Sequence, residues 1–195
     1  MAVRATYLLY TGQSFTKDYA IDANSRFTIS AGSDDPRLAS TAFSTSFQTV
    51  GGEGIVAERS MWWPATMPWI EGHNSTGLTT TGTLWAVAEG ELDGPDHAET
   101  YVLVANTSTF DGTIRARALS EDGTIVTRTI VVTASSRVTI SAREVFPEMT
   151  GKKFGVVLES IDPTPAQITA EVSIYLSADG VTWSAGSNAP ATRLR

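Results

Sequence analysis

The chain repeats itself. Residues Val3 to Ala31, VRATYLLYTGQSFTKDYAIDANSRFTISA, align without a gap to Ile114 to Ala142, IRARALSEDGTIVTRTIVVTASSRVTISA, each residue meeting its counterpart 111 positions later. The frame holds at Pro36/Pro147 and Phe43/Phe154. Two inserted residues then pair Ile55 with Ile168 and Glu58 with Glu171, and one more pairs Trp69 with Trp183, Gly72 with Gly186 and Asn74 with Asn188. A duplication constrains a fold more tightly than composition does. The copied unit has to bury the same faces twice, and each copy becomes a natural packing partner for the other.

The duplication is uneven. The second copy is preceded by LWAVAEGELDGPDHAETYVLVANTSTFDGT, Leu84 to Thr113, which has no counterpart ahead of the first. The expected division is a partial repeat over residues 1–81 and a fuller one over residues 82–195, cut from a longer array. A different cut lets Leu84–Ser108 complete the first copy, in the manner of a circular permutation. An incomplete first copy would carry an open sheet edge. Either another chain supplies the missing strand, which predicts strand exchange in a homodimer, or Leu84–Ser108 folds back onto the edge.

Within each copy the apolar residues alternate with period two, the signature of half-buried strands. RFTISA places Phe27, Ile29 and Ala31 on one face, AFSTSFQ places Phe43, Thr45 and Phe47, and ITAEVSI places Ile168, Ala170, Val172 and Ile174. Asp122-Gly123 and Asp179-Gly180 suit hairpin turns. Residues 32–41 and 143–152 have room for one helical turn each. About seven short strands per copy, separated by turn residues, predict an all-β fold of two tandem immunoglobulin-like antiparallel β-sandwich repeats.

Several function classes are disfavoured. The net charge is −7 with no basic stripe, against the clustered cations that nucleic acid demands. No apolar run is long enough for a spanning helix, and MAVRATYLLY alternates like a strand rather than reading as a signal peptide. Cysteine is absent, which removes disulfides, thiol catalysis and cysteine zinc sites. The acidic run Glu89, Glu91, Asp93, Asp96 and Glu99 lacks calcium-loop spacing. His73 and His97 are isolated, and there is no G-x-S-x-G elbow. Neither catalysis, nor a metal, nor a cofactor is expected.

One stretch crowds rare residues together: IVAERSMWWPATMPWIEGHNSTG, Ile55 to Gly77. On a strand Arg59 would share the core side with Ala57 and Met61, and would need a partner there. Glu58, Ser60 and Trp62 would face the other way. Trp62, Trp63 and Trp69, with His73 and Asn74, could form an aromatic platform for sugars, since flat rings stack on apolar sugar faces. Yet Trp69 recurs as Trp183 and Trp62 as Tyr175, which favours a packing role. A contact with another protein is the third alternative. Arg59, Trp63 and His73 are peculiar to the first copy, where the second has Val172, Leu176 and Ser187.

The motifs W-A-V-A-E-G … E-T-Y-V-L-V-A-N (Trp85 to Asn106), A-N-S-R-F-T-I (Ala23 to Ile29) and I-V-A-E-R-S-M-W-W … E-G-H-N-S-T-G resemble tandem β-sandwich repeats of secreted or cell-surface bacterial proteins, an uncharacterised family. The resemblance implies an extracytoplasmic, structural or adhesive module without established activity. Its partners would be neighbouring repeats, cell-surface proteins or polysaccharide.

Overall fold

The fold is that of a computed structural model, which describes residues 1–64, 68–180 and 182–195. It is all-β, built from antiparallel sheets. The first copy contributes β1 (Ala2–Leu9), β2 (Ser14–Ala20), a helical turn α1 (Ala31–Asp34), β3 (Phe43–Val50), β4 (Glu58–Trp63) and β5 (Glu71–Thr76). The lead-in forms β6 (Leu84–Leu92) and β7 (Glu99–Asn106). The second copy continues with β8 (Gly112–Ser120), β9 (Ile125–Val132), β10 (Ser136–Ser141), the turn α2 (Ala142–Val145), β11 (Lys152–Ser160), β12 (Ile168–Leu176), β13 (Ala185–Pro190) and β14 (Thr192–Arg193).

In the second copy the strands form two sheets, ordered β10-β7-β12-β13 and β14-β6-β11-β8-β9. The lead-in is the centre of this sandwich: β6 pairs with β11, and β7 with both β10 and β12. Trp85, Val87, Leu92, Val102 and Val104 from the lead-in meet Ile114, Leu158 and Ile168 in one closed core. The indole N–H of Trp85 donates to the Ile168 carbonyl at 3.0 Å, so the buried ring leaves no orphan donor. Asn106, fully buried, donates to the carbonyls of Phe110, Val132 and Thr133 and pins the loops at one end.

The first copy keeps the counterparts of β8, β9 and β11 as the sheet β2-β1-β3, and those of β12 and β13 as the hairpin β4-β5. Residues 25–30, expected as a strand, are not one, although their counterpart β10 is. The reason is pairing: β10 is held by β7 alone, and the first copy has no β7. Among the described residues the same absence leaves the first copy five strands rather than about seven. Its small core, Ala5, Tyr7, Leu9, Tyr19 and Leu38, lies on the inner face of β1 and β2 and under the turn after α1.

Candidate functional site

Alternation on β4 sets the site. Arg59 and Trp63 are half-buried, while Glu58, Ser60 and Trp62 are exposed. In the register of the hairpin, Arg59 stands opposite Ser75, Met61 opposite His73 and Trp62 opposite Gly72. One face of the hairpin therefore carries Arg59, Met61, Trp63 and His73, and the other Glu58, Ser60, Trp62, Gly72 and Asn74.

The first of these faces lies on the outer face of the second copy's sheet. Arg59 meets Glu171 at 2.5 Å, charge to charge but without hydrogen-bond alignment. The Trp63 indole donates to the Trp183 carbonyl at 3.0 Å and crosses the Tyr175 ring edge-on, with centroids 5.4 Å apart. His73 Nε2 lies 3.2 Å from the Tyr175 hydroxyl. Burial, and then the neighbouring Arg59 charge, hold the His73 imidazole below its ordinary pKa, with Glu171 opposing. Gly186 is required here. A Cβ on it would lie 2.7 Å from the Tyr175 ring and 3.0 Å from Trp63, so the bare backbone is the floor on which both rings rest.

Arg137 closes the contact from β10. It is 6% exposed, and it donates to the Phe43 carbonyl of the first copy and to the Thr139 hydroxyl. Burial pushes its pKa down to about 10 despite the nearby Glu171 carboxylate. Arg137, Glu171, Tyr175 and Trp183 were not singled out in the sequence. The signal for the last three was their place as counterparts of Glu58, Trp62 and Trp69.

Trp62 and Trp69 stack on each other, with centroids 5.3 Å apart and planes 20° apart. Their counterparts Tyr175 and Trp183 stack likewise, at 4.3 Å and 13°. The duplicated unit thus builds the same ring pair twice. In the second copy Tyr175 is 7% exposed and Trp183 39%; in the first Trp62 is 56% exposed and Trp69 51%. An open groove of about 340 Å³ runs beside Trp62, lined by Ser60, Gly72, His73 and Asn74.

Part of the acidic run is held by cations. Arg143 holds Asp93 and Glu99 of the acidic run at 2.6 and 2.5 Å, and Lys153 stands 3.8 Å from Glu91. The first copy's core holds a polar chain that sequence reasoning missed. The Tyr7 and Tyr19 hydroxyls lie 2.7 Å apart, Tyr19 donates to Asp34 at 2.6 Å, and Lys17 donates to Asp34 at 2.7 Å. Its counterparts in the second copy are Ala118, Ile130, Val145 and Arg128, so only comparison of the two copies could have revealed it.

No family model and no curated protein matches the chain. Among solved structures it is similar to Thermotoga maritima 1070, at 13% identity and a TM-score of 0.48, over 57% of this chain and 94% of that one. It is also similar to the Anabaena sensory rhodopsin transducer, at 19% identity and a TM-score of 0.40, over 49% of this chain and 86% of that one.

Proposed function

We propose that the chain is a non-catalytic structural or adhesive repeat module of an extracellular bacterial protein, whose units dock on one another. One observation carries this reading. The three residues peculiar to the first copy, Arg59, Trp63 and His73, all contact the second copy. Residues that crowd like an active site in the sequence are engaged in joining repeats. Reversing one charge of the joint (Arg59→Glu) should free the β4-β5 hairpin to proteolysis, and adding Glu171→Arg should restore protection. Turnover of ester, glycoside or peptide substrates that disappears with His73→Ala or Glu58→Gln would overturn the proposal.

A second reading, carbohydrate binding, is favoured by the exposed Trp62–Trp69 stack beside the groove with Ser60 and Asn74. Two indole faces with adjacent hydroxyl and amide groups suit a polysaccharide. Retardation in polysaccharide-containing gels, lost on Trp62→Ala, would support it.

A further inference from the structure

The joint between the copies has two unlike sides. The donor side is Arg59, Trp63 and His73. The acceptor side is Glu171, the stacked pair Tyr175–Trp183 and the glycine floor Gly186. Every acceptor residue has a counterpart in the first copy: Glu58 for Glu171, Trp62 for Tyr175, Trp69 for Trp183 and Gly72 for Gly186. These counterparts lie on the outward face of β4-β5, in the same ring geometry, with Glu58, Gly72 and both rings exposed. The groove beside Trp62 falls where, on the second copy, Trp63 is seated.

We propose that this outward face is a second acceptor. Its occupant is the inward face of another repeat's β-hairpin, one carrying arginine, tryptophan and histidine at the places of Arg59, Trp63 and His73. The duplication itself identifies the occupant, because the same four acceptor positions hold that set one copy further along. Charge agrees: Glu58 offers a carboxylate where Glu171 takes a guanidinium. A ring beside a residue without a side chain leaves room for an indole to sit edge-on, as Trp63 sits against Tyr175 at Gly186. This inference rests on the repeat-module reading above and extends it from the joint inside the chain to one beyond it.

The probe is a peptide of residues 56–77 in which Glu58→Gln, Trp62→Thr and Trp69→Thr remove its own acceptor, titrated into the full chain labelled with 15N. The indole N–H signals of Trp62 and Trp69 should move, while that of buried Trp85 stays. Glu58→Arg in the chain should weaken binding by about tenfold or more, and Arg59→Glu in the peptide should recover it. Movement confined to Trp63 and Trp183 would mean that the peptide merely displaces the chain's own hairpin, and would overturn the proposal. So would signals moved by a polysaccharide and not by the peptide.

A second measurement covers a peptide that fails to fold. A chain lengthened by another residues 1–81 segment ahead of Met1 should show no more oxidisable tryptophans than the parent, and extra reactive rings would overturn the proposal. The Arg59→Glu/Glu171→Arg pair is run alongside. If that exchange restores the internal joint while Trp62 and Trp69 remain unoccupied in both tests, this inference falls and the repeat-module reading stands.

Discussion

Leu158 and Phe47 occupy one position of the duplicated unit, yet Leu158 is wholly buried and Phe47 is 37% exposed. Ile168 and Ile55 differ in the same way, at 0% and 38%. Around Ile55 and Ile168 the sequences match closely, IVAERSMW against ITAEVSIY, so local propensity does not separate that pair. The lead-in hairpin does: Trp85, Val87, Val102 and Val104 cover the second copy's inner faces, and the first copy has no equivalent. A strand becomes a core strand through what lies across from it. The first copy responds with the Tyr7–Tyr19–Asp34–Lys17 chain, a polar core that tolerates one wet side, and it leans its hairpin on its neighbour.

The largest effect that tests this contrast is in the core. Leu158→Ala should cost about 2–5 kcal/mol, as a cavity in a closed core does. Phe47→Ala, at the equivalent position, should cost about 1 kcal/mol or less. Denaturant unfolding of both variants checks the difference, and equal losses would break the comparison. Next comes the glycine floor. Gly186→Ala should cost roughly 1–3 kcal/mol through overpacking between Tyr175 and Trp63, and should shift the Trp63 indole signal without moving those of Trp62 and Trp69.

The smallest effect is acid loosening of the joint. His73 is held below its ordinary value of 6.5, so the separated state binds protons first as the pH falls. Docking should be at full strength above about pH 6.5 and should weaken below it, until the docked imidazole also protonates. Tyr175 hydroxyl contact and the Arg59 and Glu171 charges face that ring. Hydrogen exchange of β4-β5 against pH should show the trend, and His73→Gln should flatten it.

Much of this was legible. The repeat, the all-β class, the helical turns and the opposed faces of Glu58 and Arg59 all follow from spacing and alternation. That Arg59 needed a partner was also readable, but that the partner is Glu171 was not. They belong to different layers, and no strand register connects them. The recurrence of Trp62 and Trp69 as Tyr175 and Trp183 favoured a packing role; the rings do stack in pairs, but Trp62 and Trp69 stay more than half exposed. It could not say that Tyr175 would be covered and Trp62 left open, because cover comes from another unit. The shared Ser-Arg-x-Thr-Ile-Ser motif misled for the same reason: β10 exists where β7 is present to hold it.

The two sides of the joint differ in one further respect. At the places of Arg59, Trp63 and His73 the second copy has Val172, Leu176 and Ser187, and Val172 belongs to its closed core. The second copy can receive a hairpin by this geometry but has none of the groups with which to offer one. A head-to-tail contact of this kind closes into a ring only where the last unit can offer a hairpin to the first, and the second copy lacks the groups to do so. A column assembled through the proposed contact would be polar, with the second copy receiving at one end and the Trp62–Trp69 face presented at the other.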